Sequence, residues 1–359
     1  MKTPEPVIEI RGKKIGRDYP VYFIADIAAN HDGSIERAKE LIHLAAESGA
    51  DAAKFQHFKA ESIVSDFGFK SLGKQYSHQS TWGKSVFEVY REASVNLDWT
   101  ETLKNACDVA GITFFTSPYS FDLVDHIDIH VPAYKIGSGD ITWIELVRYI
   151  AEKQKPYILA TGASTIDDVH RAVCAGLDVN SRLCLMQCNT NYTASLDNFK
   201  YIQLNVLKVY REMYPDLVLG LSDHTPGHAT VLGAVSLGAR MIEKHFTDDD
   251  KRVGPDHAFS MDSNSWREMV NRTRELENAL GSGIKQIEEN EKETCVLQRR
   301  AIRAAANLVT GSALTRDHLI VLRPCPDDGL PPFRMNEIIG KKIRRDICLG
   351  EYLRWTDLE

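Results

Sequence analysis

Short apolar runs alternate along the chain with longer segments whose apolar positions repeat at helical spacing. In the segment 35–47, for example, Ile35, Ala38 and Leu41 fall on one face of a helix. Runs that are apolar at nearly every position indicate parallel strands covered by helices on both faces. Eight such runs span residues 21–28, 51–58, 113–117, 133–136, 157–161, 183–188, 217–221 and 241–245. The pattern therefore predicts an α/β protein built on a closed (β/α)8 barrel.

The regions outside the eight repeats predict two additions to the barrel. Residues 7–10 and 13–15 flank Arg11-Gly12 and predict a small N-terminal β-hairpin. Residues 281–299 begin with glycine and serine and become highly charged, which indicates a linker or a solvated helix. We therefore expect a barrel domain over 1–280, a linker over 281–299 and a small β-rich domain over 300–359. An open doubly wound sheet is the alternative, but no G-x-G-x-x-G follows the first strand.

Composition narrows the class of protein. The 359 residues carry a formal net charge of -7, which argues against nucleic acid or an anionic membrane as the main partner. No stretch approaches the roughly 20 apolar residues that a membrane-spanning helix needs, and residues 1–17 lack the apolar core of a signal peptide. The seven cysteines form no C-x-x-C pair. We expect a cytoplasmic protein with reduced thiols.

Polar residues stand where the strands end, which is the face that carries the active site in (β/α)8 barrels. Lys54 and Gln56 fall on one face of the second strand, as Glu243 and His245 do on the eighth. Lysines on barrel strands need an anionic partner, either an anionic substrate or a neighbouring carboxylate. Gly137-Ser138-Gly139 adds backbone N–H groups that an anion can approach closely.

A histidine stands at the carboxyl end of each of the last two predicted strands. His224 lies in Ser222-Asp223-His224-Thr225, and His245 ends the run Glu243-Lys244-His245. Because the carboxyl ends of adjacent parallel strands meet, both imidazoles fall within reach of one metal ion. The alternative for each is a histidine that is hydrogen-bonded within the core.

These strings and several others resemble the sialic acid synthase family, whose members make N-acetylneuraminic, legionaminic or pseudaminic acid from phosphoenolpyruvate. The resemblance covers nearly the whole chain. Its C-terminal part, with Leu322-Arg323-Pro324, resembles the family's antifreeze-like (SAF) domain. The barrel motifs are Phe23-Ile24-Ala25-Asp26, Asn30-His31-x-Gly33, Ala53-Lys54-Phe55-Gln56, Thr116-Ser117-Pro118, Ala133-Tyr134-Lys135-Ile136-Gly137-Ser138-Gly139-Asp140, the two histidine strings and Gly254-Pro255-Asp256.

The resemblance implies a condensation of phosphoenolpyruvate with an open-chain N-acetylhexosamine, with release of phosphate. It implies a divalent ion, Mn²⁺ or else Mg²⁺ or Co²⁺, held by His224 and His245. It further implies a domain-swapped homodimer in which Arg323 of the partner subunit reaches the acyl group of the sugar. Catalytic roles fall to Asp26, Lys54, Lys135, Asp140 and Asp256, the last orienting a water on the ion, and substrate-binding roles fall to Gln56, Ser138, Thr161, Thr190, Tyr192, Asp223 and Arg323.

Several positions depart from the family pattern and leave the acceptor sugar open. Asp26 stands where glutamate is common, and Ala160 stands where a phosphate-binding serine is frequent, with Thr161 as the residue that would compensate. Asn189 also departs from the usual sixth strand. Three alternatives to this function remain: a 3-deoxy-ulosonate-8-phosphate-type synthase, a metal-dependent pyruvate aldolase on the same barrel, and a non-enzymatic binding protein.

Overall fold

The computed structural model describes residues 6–73, 79 and 82–359. The chain divides into two compact units, Met1–Gly281 and Ser282–Glu359. Each has a hydrophobic core of its own.

The first unit is a closed barrel of eight parallel strands, β3 to β10, in which β10 pairs with β3. An antiparallel hairpin, in which Val7 faces Gly16, precedes it. The strands of this unit are β1 (Val7–Ile10), β2 (Lys13–Gly16), β3 (Tyr22–Asp26), β4 (Ala52–His57), β5 (Thr113–Pro118), β6 (Tyr134–Ile136), β7 (Tyr157–Ala160), β8 (Leu183–Cys188), β9 (Val218–Asp223) and β10 (Met241–His245). The barrel and its N-terminal hairpin confirm the fold predicted from the apolar runs.

Helices connect the strands and cover the outside of the barrel. They are α1 (Ile35–Glu47), α2 (Ala60–Ile63), α3 (Asp66–Ser71), α4 (Val86–Ala93), α5 (Thr100–Ala110), α6 (Phe121–Asp128), α7 (Ile144–Glu152), α8 (Ile166–Leu177), α9 (Val206–Met213), α10 (Ala229–Ser236) and α11 (Ser263–Leu280). Helix α1 begins at the Ser34 hydroxyl, which accepts a hydrogen bond from the Arg37 amide. It buries Ala38, Leu41 and Ile42 against the barrel, as its apolar face predicts.

Side chains alternate between the inside of the barrel and the layer of helices, because successive residues of a strand point in opposite directions. The outward layer is filled by large apolar groups such as Phe23 and Phe55, both fully buried. Burying such a side chain contributes about 1.5–3 kcal/mol to folding. Near the carboxyl ends of the strands the inward positions become polar, and this change of chemistry marks the site described below.

The second unit is small and contains a two-stranded antiparallel sheet, β11 (Ala301–Ala304) and β12 (Leu319–Leu322). Its helices are α12 (Lys292–Gln298) and α13 (Met335–Ile338). Ile302, Ile338 and Leu353 lie at the centre of its core. In the described part of the chain, no helix combines the length and apolar character needed to cross a membrane.

Candidate active site

At the carboxyl ends of β9 and β10, four side chains point toward the barrel interior: Ser222, His224, Glu243 and His245. The residues between them, Asp223 and Lys244, point outward. Ser222 lies beside Glu243 in the register of the two strands, and its hydroxyl donates to Glu243 Oε1 at 3.1 Å. His224 and His245 face the same space, with ring centroids 5.4 Å apart. Strand periodicity therefore delivers a serine, a glutamate and two histidines to one place.

Two lysines and two carboxylates form a buried cluster at the base of this space. Lys54 Nζ lies 2.7 Å from Asp26 Oδ2 and 3.8 Å from Glu243 Oε1. Lys135 Nζ lies 2.7 Å from Glu243 Oε1. The side chains are 3–5% exposed, so the charges interact with little screening by solvent. The cluster is balanced in formal charge, and an incoming anion competes with the carboxylates for the two ammonium groups.

The pKa values of the cluster follow from burial and pairing. Burial raises the pKa of Glu243, but the Lys135 and Lys54 ammonium groups outweigh it and lower the value to about 2. Burial raises the pKa of Asp26 above its ordinary value, and Lys54 opposes that effect without cancelling it. Burial lowers the pKa of Lys54, but the carboxylates of Asp26 and Glu243 outweigh it and raise the value. Lys54 and Glu243 are therefore charged at neutral pH.

The histidine pair is neutral. Burial lowers the pKa of His224 to about 3, with His245 adding to the effect. Burial also lowers the pKa of His245 to about 3, helped by the nearby Lys54 ammonium. His224 Nδ1 lies 2.9 Å from the Asn189 carbonyl oxygen. Because a carbonyl only accepts, Nδ1 carries the proton and Nε2 keeps a free electron pair.

This arrangement fits a divalent ion with two protein ligands. His245 Nδ1 is buried without a hydrogen-bond partner, and His245 Nε2 lies 3.6 Å from Asp26 Oδ2. Across residues 6–73, 79 and 82–359, no group of three or more His, Cys, Asp and Glu side chains is arranged to hold a metal ion. An ion on His224 and His245 therefore leaves positions for oxygen ligands from water and substrate, as Mn²⁺ and Mg²⁺ prefer.

A cavity of about 380 Å³ adjoins the cluster, whose own lysines and carboxylates are not among its lining residues. Gln56 and His245 line it and both approach Asp26, Gln56 with a hydrogen bond of 3.3 Å to Oδ2. The polar lining comprises Gln56, Ser138, Asp140, Tyr192, His245 and Asp256, and the apolar and aromatic lining comprises Phe58, Ile63, Trp82, Val89, Tyr90 and Tyr119. The volume suits a small polar ligand with an apolar end.

Two carboxyl groups of the cavity have raised pKa values. Burial raises the pKa of Asp140 to about 6. Burial also raises the pKa of Asp256 to about 7, although the Ala29 amide, which donates to Asp256 Oδ2 at 3.1 Å, opposes the shift. Groups that titrate near neutral pH are suited to moving protons.

Aromatic rings hold the histidines from the side of the cavity. The Tyr192 ring stands edge-on to His224, with centroids 4.3 Å apart. The Phe259 ring stands edge-on to His245 at 4.9 Å and lies 5.3 Å from Tyr192. These contacts restrict the imidazole orientations.

Ser138 lies in a turn at the cavity wall. This turn packs so closely against the residues after β7 that position 162 must be glycine. The Gly162 amide donates to Ser138 Oγ at 3.0 Å. A Cβ atom at position 162 would lie 2.9 Å from Ser138 Oγ and closer still to Thr190 Cγ2. Thr190, also predicted to bind substrate, therefore lies against this turn, outside the residues that line the cavity.

Thr161 and Asp223, also predicted to bind substrate, are not among the residues that line the cavity. Thr161 donates to the Met186 carbonyl at 2.9 Å and accepts from the Tyr210 hydroxyl of α9 at 3.0 Å. Asp223 points into the layer between the barrel and α10, because it alternates with the inward-facing His224. Arg323 is exposed in the second unit, directly after β12.

Two features of the site were not predicted. Glu243 joins both lysines, whereas the sequence showed only that it shares a face with His245. The aromatic wall includes Tyr90 from α4 and Phe58, with ring centroids 5.4 Å apart. No motif marks these residues, and only the insertion between β4 and β5, longer than the other connections, indicated that extra structure covers this end of the barrel.

Comparisons with known proteins extend this description. A model of the NeuB family matches residues 41–285, and a model of the SAF domain matches residues 299–359. The chain is 32% identical over 353 residues to the N,N'-diacetyllegionaminic acid synthase of Legionella pneumophila, covering 97% of both chains. It is 31% identical over 333 residues to the N-acetylneuraminate-9-phosphate synthase of Homo sapiens, covering 92% of this chain and 91% of the human one. The crystal structure of N-acetylneuraminic acid synthetase from Leptospira borgpetersenii, in complex with citrate, is similar with a TM-score of 0.71 and 26% identity, over 81% of this chain and 95% of that one.

Proposed function

The chain belongs to the NeuB family, and we propose that it is a nonulosonic acid synthase that condenses phosphoenolpyruvate with an N-acylated hexosamine and releases phosphate. The observation that carries the proposal is a buried cluster in which Lys54 and Lys135 each lie 2.7 Å from a carboxylate. This cluster contacts Gln56 and His245, which line a cavity of about 380 Å³. The lysines supply positive charge for the anionic substrate, and the cavity holds the sugar. Relatives named as synthases of legionaminic acid and of N-acetylneuraminate 9-phosphate support the same reaction class.

In this proposal Lys54 and Lys135 bind the phosphate and carboxylate of phosphoenolpyruvate. Both ammonium groups are held at 2.7 Å from a carboxylate, so their positions are fixed before the substrate arrives. Ser138, whose hydroxyl already accepts from Gly162, lines the same cavity. Fixed charges cost little reorganisation when the substrate binds, which favours catalysis.

A divalent ion completes the proposed site. Mn²⁺, or Mg²⁺ or Co²⁺ in its place, would be held by His224 and His245, whose neutral imidazoles fit that role. When bound, the ion would polarise the aldehyde of the open-chain sugar and make its carbon more electrophilic.

The proposed reaction forms one carbon–carbon bond and, at C2, replaces the phosphate group by an oxygen atom from water. C3 of phosphoenolpyruvate bonds to the aldehyde carbon, whose oxygen becomes a hydroxyl, and water adds to C2. The resulting hemiketal phosphate loses inorganic phosphate by cleavage of the C2–O bond. Asp256 lines the cavity with a pKa of about 7, and we assign it to orienting this water and accepting its proton. Asp140, with a pKa of about 6, is the second group in the cavity that is suited to holding a proton.

We further propose that the acceptor sugar carries no phosphate of its own. Among the described residues that line the cavity, none is lysine or arginine, whereas two are aspartates. Lys54 and Lys135 are assigned to phosphoenolpyruvate, and Arg323 of the partner subunit is assigned to the acyl group. A phosphate on the sugar would therefore meet the carboxyl groups and aromatic rings of this lining. The rings of Phe58 and Tyr90 suit an acyl methyl group or a deoxygenated carbon. This disfavours the alternative in which the chain is a 3-deoxy-ulosonate-8-phosphate-type synthase.

The first experiment measures inorganic phosphate released from phosphoenolpyruvate with Mn²⁺ present. The panel contains N-acetylmannosamine, its 6-phosphate and diacetamido-trideoxyhexoses, each with a control that lacks the sugar. We expect inorganic phosphate to be released with an unphosphorylated sugar of the panel and not with the 6-phosphate. Release only with the 6-phosphate contradicts the proposed acceptor class, and a product formed from pyruvate without phosphate release identifies an aldolase.

The proposal extends to assembly and location. We propose a domain-swapped homodimer in which Arg323 of one subunit binds the acyl group of the sugar in the site of the other. We also propose that the protein works in the cytoplasm. All seven cysteines are free thiols, which agrees with a reducing compartment.

A further inference from the structure

Behind the histidine pair lies a fully buried ion pair that the proposed reaction does not use. Lys244 contacts Asp223 Oδ2, and the two side chains are 1% and 0% exposed. Lys244 Nζ also donates to the Thr225 carbonyl at 2.6 Å. Asp223 Oδ2 accepts from the hydroxyls of Thr225 and Thr230, each at 2.8 Å. The network therefore joins β9, β10, the turn after β9 and helix α10.

Asp223 and Lys244 each lie between two residues of the site along their strand. Asp223 lies between Ser222 and His224, and Lys244 lies opposite it in the register between the strands. Lys244 itself lies between Glu243 and His245. Because strand residues alternate, a bond that fixes Asp223 and Lys244 on the outside also fixes the backbone that presents their neighbours on the inside.

The turn that carries His224 is held from three directions. The Thr225 carbonyl is bound by Lys244, and the Thr225 hydroxyl is bound to Asp223. On the other side, His224 Nδ1 is bound to the Asn189 carbonyl at 2.9 Å. The imidazole therefore has little freedom to rotate or to move away from His245.

Stability does not account for a buried ion pair at this position. Apart from Thr230, the residues that α10 buries are apolar, namely Val231, Ala234 and Val235. Apolar residues of similar volume often replace a buried ion pair with no loss of stability, because desolvating two charges is costly. A directional network is suited instead to fixing geometry.

We propose that Asp223 and Lys244 are positioning residues that set the separation and orientation of His224 and His245. The inference rests on the proposed function only for its catalytic consequence. Its geometric content, the placement of two imidazoles, is independent of which reaction the site performs.

The test compares Mn²⁺ binding and steady-state kinetics in the full-length protein. The variants are Lys244→Met and the double variant Asp223→Leu/Lys244→Met, which leaves no buried charge unpaired. We expect each to weaken Mn²⁺ affinity about tenfold or more and to lower kcat, with a smaller change in the KM for phosphoenolpyruvate. Tyr157→Phe is the matched control, because it removes a buried hydrogen bond of 3.0 Å to Asn180 at the amino-terminal end of the barrel. The control should leave Mn²⁺ affinity and kcat unchanged.

A folded double variant with wild-type Mn²⁺ affinity and wild-type kcat overturns the proposal. If neither Lys variant folds, Thr230→Val decides, since it keeps the ion pair and removes one bond to Asp223. A wild-type Mn²⁺ affinity and kcat in Thr230→Val then count against positioning, and a several-fold loss supports it.

Failure of the proposed function is distinguishable from failure of this inference. A wild-type protein that releases no phosphate and binds no Mn²⁺ overturns the proposed function. The positioning role is still decided by crystal structures of the wild-type protein and the double variant or, if that variant does not fold, Thr230→Val. An imidazole centroid separation that stays at 5.4 Å, with the bond from His224 to Asn189 intact, contradicts the role.

Discussion

Glu243 Oε1 lies 2.7 Å from Lys135 Nζ and 3.8 Å from Lys54 Nζ, so one carboxylate contacts both lysines in the middle of the barrel. Removing this charge takes away the carboxylate that Lys135 contacts and leaves Lys54 with its contact to Asp26. We expect Glu243→Gln to lower the free energy of unfolding by about 3–5 kcal/mol, the usual cost of breaking a buried ion pair from one side. Chemical denaturation of the two proteins measures the difference.

Asp122→Asn is the control for this stability prediction. Asp122 pairs with Lys59 at 2.7 Å, but the two side chains are 61% and 46% exposed. A pair so accessible to solvent contributes about 1 kcal/mol or less. Equal losses in the two variants would show that Glu243 is not the charge that holds the cluster together.

The barrel and most of its inward-facing polar residues were predictable because they depend on local periodicity. The continuous apolar runs specified strands, and alternation placed Lys54 with Gln56 and Glu243 with His245. The partner of Thr161 was not predictable, since Tyr210 lies in α9, 49 residues further along the chain. The aromatic wall was likewise missed, because Phe58 and Tyr90 meet through tertiary packing and share no sequence pattern.

The resemblance to a family and the alternation of the strand led to different expectations for Asp223. Alternation alone places it opposite His224 and therefore outside the barrel. The resemblance carried it into substrate binding together with its neighbours in the motif. The structure follows the alternation, so a residue in a functional motif still needs its direction checked against the period of its strand.

Lys135→Met should raise the KM for phosphoenolpyruvate by about tenfold or more, because the substitution removes a charge that the proposed anion site needs. Initial-rate kinetics at a saturating concentration of the sugar give the value. Lys155→Met is the control, since Lys155 pairs with Asp128 at 2.7 Å outside the proposed site. A KM that stays at the wild-type value in Lys135→Met would exclude this lysine from phosphoenolpyruvate binding.

His224→Ala and His245→Ala should each abolish binding of Mn²⁺ near the wild-type affinity and stop phosphate release. Each removes one of the two imidazoles that are proposed to hold the ion. Isothermal titration calorimetry, in which Mn²⁺ is added to the metal-free protein, measures the loss of affinity. His170→Ala should bind like the wild type, because His170 lies on α8 and contacts Tyr214. Undiminished binding in either site variant would remove that histidine from the ligand set.

The pKa of about 7 at Asp256 predicts how stability depends on pH. The folded protein holds this proton up to about pH 7, whereas the unfolded chain releases it near the ordinary value of 3.8. Between these values the folded state binds more protons, so the contribution of Asp256 to stability falls as pH rises. Asp256→Asn lacks that loss and should gain stability relative to the wild type between pH 5 and pH 8, by about 3 kcal/mol. Melting temperatures across this range measure the gain, and a constant difference between the two proteins would contradict the raised pKa.

The proposed exchange of Arg323 between subunits can be decided by mixing two defective variants. Arg323→Ala should weaken sugar binding, and Lys54→Met should weaken phosphoenolpyruvate binding. If each site combines the barrel of one subunit with Arg323 of the partner subunit, half of the dimers in an equal mixture contain one native site. The mixture should then recover about a quarter of the wild-type activity. If Arg323 serves its own barrel, every site in the mixed dimers keeps one defect and no activity returns. The subunits of the mixture are dissociated and reassociated before the assay. Each variant taken through the same treatment by itself is the reference.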